Sequence, residues 1–562
     1  MLSFLGKQWR PRGEFSAEQS LFANFCKARG KSATDFAPAA FSDLAEPFSF
    51  REMERTTERI FTALKNQERI LLFGDYDVDG VSGVAQLFLT LQHLRANVSY
   101  RLPARSDGYG LAEKFVEDAA KSGATLLITV DCGISNAAGV ALAKAHGIDV
   151  IITDHHALPG DLPEAYAILH PLEPQETFHD KDLTGSGVSF FLCLALLRAH
   201  YPKGNFQNFA EQLLELAVLG TVADCGALFG QNRIITLLGL AAIKKTKHPG
   251  LKALLKISAV DPENITAESI GFYLAPRLNA AGRMEHPDLA LELLCRNFER
   301  ASEAAEYLQI LNRQRQELVE KCFQAVEVLL SNSPQKTPAI ILADPKWSPG
   351  ILGLLSARLT EKYSRPAIIC SMTSEKISAS CRGPEDFHFA ENLREIAAAE
   401  PELFLSFGGH AAAAGFSILP ENFARFQELF TAQVIAKRGL TPAPPVLNYD
   451  GAISIPLSAE AVAELKNCEP FGTGNPAPQF LFSDLALQSV RTVGENEQHL
   501  SLFFRSPGGQ NFGAIWFQRG NLLEKFPQNA VVDLIATPEV NEWQGRREVR
   551  LKVLDARASS KF

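Results

Sequence analysis

Short apolar runs alternate with amphipathic segments over residues 68–170. The runs RILLFGDYD, ATLLITVDCG and IDVIITDHH each end in polar residues, and VSGVAQLFLTLQHL between the first two places apolar residues at helical spacing. Strands that are apolar throughout are typical of parallel sheets, which are buried on both faces. Their alternation with helices predicts an α/β domain with a helix-covered parallel sheet over residues 68–298.

Helical patterns surround this sheet. Residues 1–67 are predicted to form a mostly helical N-terminal segment, and EQLLELAVLGTV reads as a buried helix. Residues 299–332 predict one long connecting helix, because Leu308, Leu311, Arg315 and Leu318 follow helical register. The break SNSPQKTP ends this helix and marks a domain boundary.

Two further domains are predicted after that break. A second α/β domain spans residues 333–440, starting at AIILADP and followed by the proline-rich link TPAPPV. Beyond it, five short strands are expected at QFLFSDLAL, HLSLFF, FGAIWF, AVVDLIATPEV and REVRLKVLDA. Five strands in about a hundred residues predict a small β-barrel of the OB type over residues 446–562.

Composition and charge narrow the class of protein. The net charge of -9 excludes a generally basic protein, so a nucleic-acid partner would need a local basic groove or metal ions. The nine cysteines include no CxxC pair, which argues against a disulfide framework and favours a reducing compartment. The N-terminus is too poor in apolar residues for a signal peptide, and FFLCLALL is too short to span a bilayer. We expect a soluble cytoplasmic protein without membrane association.

Acidic residues and histidines follow all three apolar runs. The carboxyl ends of parallel strands meet at one edge of a sheet, so these side chains should converge there, and a residue at the end of the EQLLELAVLGTV helix could join them. The residues concerned are Asp75, Asp77, Asp79, Asp131, Asp154, His155, His156 and Asp224.

So many carboxylates in one crevice require a counter-charge, because like charges held close together resist joint ionisation. Oxygen ligands suit Mg²⁺ and Mn²⁺, imidazole favours Mn²⁺, and two bridged ions would explain the number of ligands. DYDVDG also resembles the start of a calcium loop, but the twelfth position is Gln86 rather than a glutamate. Taken singly, Asp131 could cap a helix and His155 could be structural. Cys132 and Cys225 are better explained as core residues than as ligands.

A family resemblance supports the metal site. GDYDVDGVSG, TVDCGIS, TDHHALP and TVADC occur in the order of the four motifs of the DHH phosphoesterases. APRLNAAGRM, WSPGILGLLSARL, SFGGHAAAAGF and PFGTGNPAPQF extend the likeness over residues 68–555. The chain resembles this family, and within it the bacterial exonucleases specific for single-stranded DNA.

The resemblance implies a catalytic centre and its roles. It implies one or two Mn²⁺ or Mg²⁺ ions, most simply two, and water rather than a serine or cysteine as nucleophile. The ligands it implies are Asp77, Asp79, Asp131, His155 and Asp224. Further catalytic roles, as ligands, orienting groups or proton carriers, fall to Asp75, Asp154 and His156, with His410 reaching the phosphate from the second domain.

The resemblance also implies a path for DNA. Ser380 and Arg382 are expected to hold the 5′ end. Gly408 and Gly409, which precede His410, let backbone come close to a phosphate. Aromatics and arginines of the barrel suit single-strand binding, although Trp516 in FGAIWF is as well explained by the core. The expected DNA-binding residues are Arg105, Arg277, Asn279, Arg283, Ser380, Arg382, Gly408, Gly409, Trp543, Arg546, Arg547 and Arg550.

The expected activity is metal-dependent 5′→3′ hydrolysis of single-stranded DNA to mononucleotides in repair and recombination. A monomer working with single-strand-binding protein and a helicase is expected. Two other functions stay open: a phosphodiesterase for short oligonucleotides or cyclic dinucleotides, and a non-catalytic single-strand-binding scaffold. The chain departs from the family pattern at Ser348, which usually is His, and in LTGSGVSF and ADCGAL. Ser348 puts any phosphate contact from its loop in question.

Overall fold

The computed structural model describes residues 2–16, 18–295, 300–331, 337–440, 444–453, 456–543 and 546–559, apart from the side chains of Trp543 and Arg546. Two compact units result. The barrel unit comprises Met1–Pro38, Ala443–Phe471 and Asn475–Phe562, and the two-sheet unit comprises Ala39–Pro442 and Gly472–Gly474. Within the described part of the chain, no helix combines the length and apolar character needed to cross a membrane.

The first sheet of the two-sheet unit is parallel throughout, as predicted, in the order β3-β2-β4-β5-β6. Its central strand β4 is buried at every position, which explains its continuous apolar sequence. The elements from the N-terminus to this sheet are β1 (Gln8–Pro11), α1 (Leu21–Ala28), α2 (Met53–Lys65), β2 (Arg69–Gly74), α3 (Val78–His93), β3 (Asn97–Arg101), α4 (Glu113–Lys121), β4 (Leu126–Val130), α5 (Ala137–Ala145), β5 (Asp149–Thr153) and β6 (Ala167–Leu169).

A helical layer completes this half of the two-sheet unit. Helix α6 is buried from Gly185 to Leu197 because it is apolar on all sides, and α7 is the buried helix that the sequence predicts. The helices are α6 (Gly185–His200), α7 (Gln207–Ala223), α8 (Gly230–Lys244), α9 (Pro249–Ile257), α10 (Ala267–Ser269), α11 (Ala275–Met284), α12 (Asp288–Cys295) and α13 (Ala301–Ser331), with a π-helical turn at Ile270–Leu274.

The second sheet is mixed, in the order β10-β11-β9-β8-β7. Only β7 and β8 pair in parallel among its described strands, and stacked phenylalanines such as Phe389 and Phe430 fill the core beside it. Its elements are β7 (Ile340–Asp344), α14 (Pro349–Tyr363), β8 (Ala367–Met372), β9 (Ile377–Arg382), α15 (Phe389–Ala399), β10 (Ser406–Gly409), β11 (Ala413–Ile418) and α16 (Phe423–Arg438).

Five of the C-terminal strands close into the predicted barrel. The C-terminal elements are β12 (Val446–Tyr449), β13 (Gly451–Ile453), α17 (Ala459–Glu464), β14 (Phe480–Val493), β15 (His499–Arg505), β16 (Asn511–Trp516), β17 (Val531–Trp543) and β18 (Arg546–Ala558). Strand β12 pairs with β1, and β13 lies beside β14 as a sixth strand of the barrel sheet. The order β14-β15-β16-β18-β17 closes because β14 also pairs with β17. The expectation of short strands is wrong for β14, β17 and β18, which have 14, 13 and 13 residues. Register shifts within β14 let one strand bend and pair with two neighbours.

A buried carboxylate joins two distant segments of the chain within the barrel unit. Asp450 is 1% exposed and accepts hydrogen bonds from Arg29 Nε and Nη2, both at 2.8 Å, and from Arg12 Nη1 at 3.1 Å. Strand β1 pairs in parallel with β12 directly beside this ion pair. Residues up to Pro38 are therefore part of the barrel unit.

We expect Asp450→Ala to lower the free energy of unfolding of the barrel unit by about 3–5 kcal/mol, because it leaves the buried Arg29 unpaired. Urea unfolding followed by tryptophan fluorescence measures this loss. The control Glu164→Ala removes an exposed ion pair with Lys144, whose side chains are 85% and 67% exposed, and should cost at most about 0.5 kcal/mol. Equal costs for the two variants would contradict the role given to Asp450.

Candidate metal centre and anion pocket

The first acidic cluster lies in the turn from β2 into α3. Asp77 caps α3, and its carboxylate accepts two N–H groups of the first helical turn at 3.0 and 3.3 Å. The Asp79 carboxylate accepts the N–H groups of Gly185 at 2.7 Å and Ser186 at 3.0 Å, at the start of α6. The positive end of α6 thus compensates a carboxylate that is only 1% exposed.

Asp131 directly follows β4 in a left-handed conformation with φ of 60°. Its N–H donates to the Thr153 carbonyl at 2.8 Å, which continues the pairing of β4 with β5 up to the site. Gly185 leaves room for its side chain, because a Cβ there would lie 2.5 Å from Asp131 Oδ1. Among the described residues this buried oxygen has no hydrogen-bond partner.

Asp154 and His156 form a fixed pair after β5. Asp154 Oδ1 accepts the N–H groups of His155 at 2.7 Å and His156 at 3.1 Å and lies 2.8 Å from His156 Nδ1. Asp154 Oδ2 accepts the Ile134 N–H at 3.0 Å. Both oxygens of Asp154 therefore have protein partners, and the residue orients the turn and the His156 ring.

His155 lies among three of the acids. Its Nε2 is 3.2 Å from Asp131 Oδ1, 3.6 Å from Asp224 Oδ2 and 3.7 Å from Asp79 Oδ2. Ligand atoms within 4.8 Å of one another form three overlapping groups. These groups are Asp131, His155 and His156; Asp79, His155 and Asp224; and Asp75, Asp77 and Asp131.

The residues fit a divalent cation. Asp75 Oδ1, Asp131 Oδ1 and His155 Nε2 are all buried, and none of them has a hydrogen-bond partner within the described chain. The approach of His155 Nε2 to Asp131 Oδ1, at 3.2 Å, lacks hydrogen-bond geometry. Buried polar atoms without a partner are costly, so a ligand is the natural complement to these three. A set of carboxylates with one or two imidazoles is suited to Mn²⁺ or Mg²⁺.

Crowding of the acids changes their proton affinities. Burial and then the Asp77 charge raise the pKa of Asp75 to about 8 and that of Asp79 to about 7. Burial and then the Asp79 charge raise the pKa of Asp224 to about 8 and that of Asp131 well above its ordinary value. The acids resist joint ionisation unless positive charge lies between them.

The two imidazoles of the motif differ in protonation. Burial, reinforced by the charge on His156, lowers the pKa of His155 to about 3, which keeps this ring neutral and able to bind a metal. Burial also disfavours the charged form of His156, but the hydrogen bond and charge of Asp154 outweigh it and raise the pKa of His156 to about 9. One ring is therefore suited to ligation and the other to charge or proton donation.

His410 reaches the same centre from the second sheet. Its ring lies 5.8 Å from that of His156, centroid to centroid, at an interplanar angle of 29°. The loop is held at the start of α15, where the Phe389 N–H donates to the Ala411 carbonyl at 2.7 Å. Gly409 adopts a φ of 134°, and a Cβ there would lie 2.5 Å from the Ala413 carbonyl oxygen. Beside Gly408 there is open space within 4 Å of a Cβ position.

Half-buried arginines of the two-sheet unit form a positive cluster next to the acids. Burial, with the charges of Arg105 and Arg315, lowers the pKa of Arg283 to about 9, while Asp77 opposes this shift. In the described chain, several buried atoms here lack a hydrogen-bond partner, namely the Nε atoms of Arg105, Arg277, Arg283 and Arg315 and Asn279 Oδ1. Neighbouring guanidinium groups with unpartnered donors are suited to bind an anion, and we call this cluster the candidate anion pocket.

Ser380 and Arg382 complete this anion pocket on β9. Arg382 Nη1 donates to the Cys381 carbonyl at 2.8 Å and approaches Ser380 Oγ at 3.4 Å. The charge of Arg105 contributes to a lowered pKa of Arg382, behind the larger effect of burial. Ser348 has a different role: its hydroxyl caps α14 by accepting the Gly350 N–H at 3.4 Å.

Three further residues of the site were missed at the sequence level. Tyr109 donates its hydroxyl to the Asp131 carbonyl at 3.2 Å and lies 3.0 Å from His156 Nδ1, between Gly108 and Gly110, whose φ angles are both positive. A glycine-flanked tyrosine next to Arg105 was its signal. Arg315 occupied an apolar register position of α13, which was the signal for an inward-facing charge.

His170 is the third missed residue. It is fully buried, accepts the Leu172 N–H on Nδ1 at 3.1 Å, and so donates from Nε2 to the His156 carbonyl at 2.8 Å. It thereby holds the turn that carries the two motif histidines. In the sequence, His170 follows a short apolar run and precedes a proline, and this pattern does not indicate a functional residue.

The barrel residues lie in a different unit from the acids. Trp516 is 2% exposed and belongs to the barrel core. Arg550 lines an open groove of about 470 Å³ together with Arg491, Ser489 and Phe503, whose side chain is 41% exposed. Arg547 is exposed at the end of β18. The side chains of Trp543 and Arg546, both predicted to contact DNA, lie outside the described residues.

Comparison with known proteins agrees with this architecture. The N-terminal domain of the DHH family matches residues 69–221, the DHHA1 domain matches residues 336–436, and the RecJ OB domain matches residues 449–555. A crystal structure of RecJ from Thermus thermophilus in complex with Mn²⁺ superposes with a TM-score of 0.82 at 28% identity, covering 99% of this chain and 80% of that one.

Curated relatives are similar in sequence over most of the chain. The single-stranded-DNA-specific exonuclease RecJ of Bacillus subtilis is 35% identical over 538 residues, 94% of this chain, which spans 66% of that relative's length. The RecJ of Salmonella typhimurium is 37% identical over 527 residues, with 90% of each chain covered. Identity at this level, across both sheets, the acidic centre and the barrel, means that the chain belongs to the RecJ family of DHH phosphoesterases.

Proposed function

We propose that this chain is a metal-dependent 5′→3′ exonuclease that hydrolyses single-stranded DNA to 5′-mononucleotides in DNA repair and recombination. The observation that carries the proposal is the pairing of two clusters in one unit. Acids with buried, unpartnered oxygens lie next to guanidinium groups with unpartnered donors. A phosphodiester with a neighbouring phosphate is a substrate that complements both clusters.

We assign the metal ligands to Asp77, Asp79, Asp131, His155 and Asp224, with Asp75 close enough to share the site. The short distances from His155 Nε2 to three of these carboxylates support a compact centre for two ions. Divalent ions bound there would neutralise charge on the phosphate and lower the pKa of water, which makes it a better nucleophile near neutral pH. Asp154 orients His156 and leaves the ligand positions to its neighbours.

Protons and charge are handled by the histidines. Attack of water on the phosphorus breaks the bond to the 3′-oxygen of the terminal nucleotide, and that oxygen must gain a proton. Asp154 holds the His156 ring and raises its pKa to about 9, so His156 is the proton donor or charge stabiliser that we assign. His410, whose ring lies 5.8 Å from that of His156, is assigned a contact with the scissile phosphate.

The polarity of cleavage is assigned to the anion pocket. Ser380, Arg382, Arg105 and Arg283 would hold the 5′-phosphate, and cleavage one nucleotide further on would leave a new 5′-phosphate on the shortened strand. The rest of the strand is assigned to the barrel, where the exposed Phe503 ring and Arg550 offer stacking and backbone attraction. We expect a monomer in the cytoplasm, with single-strand-binding protein and a helicase as partners.

A labelled digest tests the activity and its direction together. With Mn²⁺ or Mg²⁺, single-stranded DNA labelled at its 5′ end should release labelled mononucleotide at once, whereas a 3′ label should stay on long fragments. EDTA should abolish both. Cleavage of dinucleotides but not of long strands would instead indicate the small-substrate phosphodiesterase, and strand binding without any cleavage would indicate the scaffold.

We expect Asp131→Ala to lower turnover by more than about 100-fold, because it removes a carboxylate from two of the three ligand groups. Binding of a single strand, measured by fluorescence anisotropy, should stay within about twofold of the unsubstituted chain. Asp118→Ala is the matched control, since that side chain is 66% exposed on α4. Unchanged cleavage by Asp131→Ala would remove the basis of the metal-centre assignment.

We expect Arg382→Lys to lower kcat/KM for 5′-phosphorylated strands by about 10-fold, because lysine cannot form the paired hydrogen bonds of a guanidinium group. Strands with a 5′-hydroxyl should be affected much less. The comparison of both substrates in one assay isolates the terminal phosphate. Arg394→Lys, at an exposed position of α15, controls for the loss of an arginine elsewhere. An equal loss on both substrates would count against a 5′-phosphate pocket.

A further inference from the structure

The PFGTGNP motif forms a short loop whose tip belongs to the two-sheet unit. Gly472, Thr473 and Gly474 are part of that unit, whereas the chain on either side is part of the barrel unit. Asn475 closes the base of the loop, since its buried side-chain amide donates to the Cys468 carbonyl at 2.8 Å and to the Pro470 carbonyl at 2.9 Å. The base of the loop is therefore held by hydrogen bonds within the loop itself.

The tip packs on the segment that joins α7 to α8, residues 225–229. The Thr473 carbonyl accepts the Leu228 N–H at 2.9 Å, and the Thr473 hydroxyl bonds to the Cys225 thiol. Gly472 lies flat against Leu228, because a Cβ there would approach Leu228 Cδ1 to 2.6 Å. Gly474 has a φ of 75°, with Phe229 at 3.3 Å from its Cβ position. Two glycines, one backbone hydrogen bond and one side-chain hydrogen bond thus define the contact.

This segment directly follows Asp224, an acid that is more exposed than Asp79 and Asp131. The Asp224 side chain is 31% exposed, against 1% for Asp79 and 2% for Asp131. Helix α7 ends at its neighbour Ala223, and Cys225 already adopts a left-handed φ of 59°. No described residue donates a hydrogen bond to the Asp224 carboxylate, so its position depends on the backbone that carries it.

We propose that the loop tip, residues 472–474, positions Asp224 for metal binding. The tip bonds to Leu228 and Cys225, so the turn after α7 is held by the tip as well as by the end of the helix. Thr473 and Gly474 are in this sense positioning residues, without contact to substrate or metal. The proposal rests on the assignment of Asp224 as a ligand, and it gives a part in the metal centre to a motif that lies about 250 residues further along the chain.

Direct binding of Mn²⁺ to the full chain, measured by isothermal titration calorimetry, tests this role. Gly474→Ala imposes a strained backbone and pushes a methyl group toward Phe229, and we expect it to weaken Mn²⁺ binding by about 10-fold. Gly509→Ala is the matched control, because that glycine has a φ of 86° with nothing closer than 4.0 Å to its Cβ position. It should bind Mn²⁺ like the unsubstituted chain.

Thr473→Val and Asp224→Ala complete the set. Thr473→Val keeps the backbone contact and loses only the hydroxyl, so it should fold normally and weaken Mn²⁺ binding about twofold. If Asp224→Ala weakens binding while Gly474→Ala and Thr473→Val do not, the positioning role is overturned and the ligand assignment stands. If Asp224→Ala itself binds Mn²⁺ normally, the ligand assignment fails. Single-strand binding in EDTA should be unaffected in every variant.

Discussion

Repulsion between buried carboxylates is the constraint on which the two-sheet unit depends. Parallel strands bring Asp75, Asp131 and Asp154 to one sheet edge, where water cannot separate their charges. The fold compensates some of these acids with its own donors, such as the start of α6 for Asp79 and three N–H groups with His156 for Asp154. The oxygens left over, on Asp75 and Asp131, are those that a cation would bind.

Repulsion between like charges also applies to the arginine cluster. Arg283 and its neighbours repel one another, and Asp77 relieves Arg283 only in part. Within each cluster the like charges repel one another, the carboxylates in one and the guanidinium groups in the other. A bound metal together with a phosphate strand would satisfy both clusters at once.

The sequence predicted the strand ends and their acids because the apolar runs are local signals. It predicted the barrel strands for the same reason, although not the length of β14, whose bend depends on two partners far away in sequence. Residues that act through tertiary contacts escaped notice. Tyr109, His170 and Thr473 are ordinary residues in loops, and their roles arise from hydrogen bonds across 22, 14 and 245 positions of the chain. The change to Ser348 was visible in the motif, but its helix-capping role required the structure.

The barrel unit is assembled from both ends of the chain, and this has a consequence for its synthesis. The ion pair of Arg12 with Asp450 spans 438 positions of the chain, and a similar number of residues separates β1 from its partner strand β12. At a synthesis rate of about 5–20 residues per second, the N-terminal residues remain without their partners for roughly 20–90 s. The two-sheet unit can fold within that interval, while β1 presents an unpaired edge to its surroundings. During synthesis β1 is thus made long before the strand it pairs with, and chaperone contact during that delay would fall on β1.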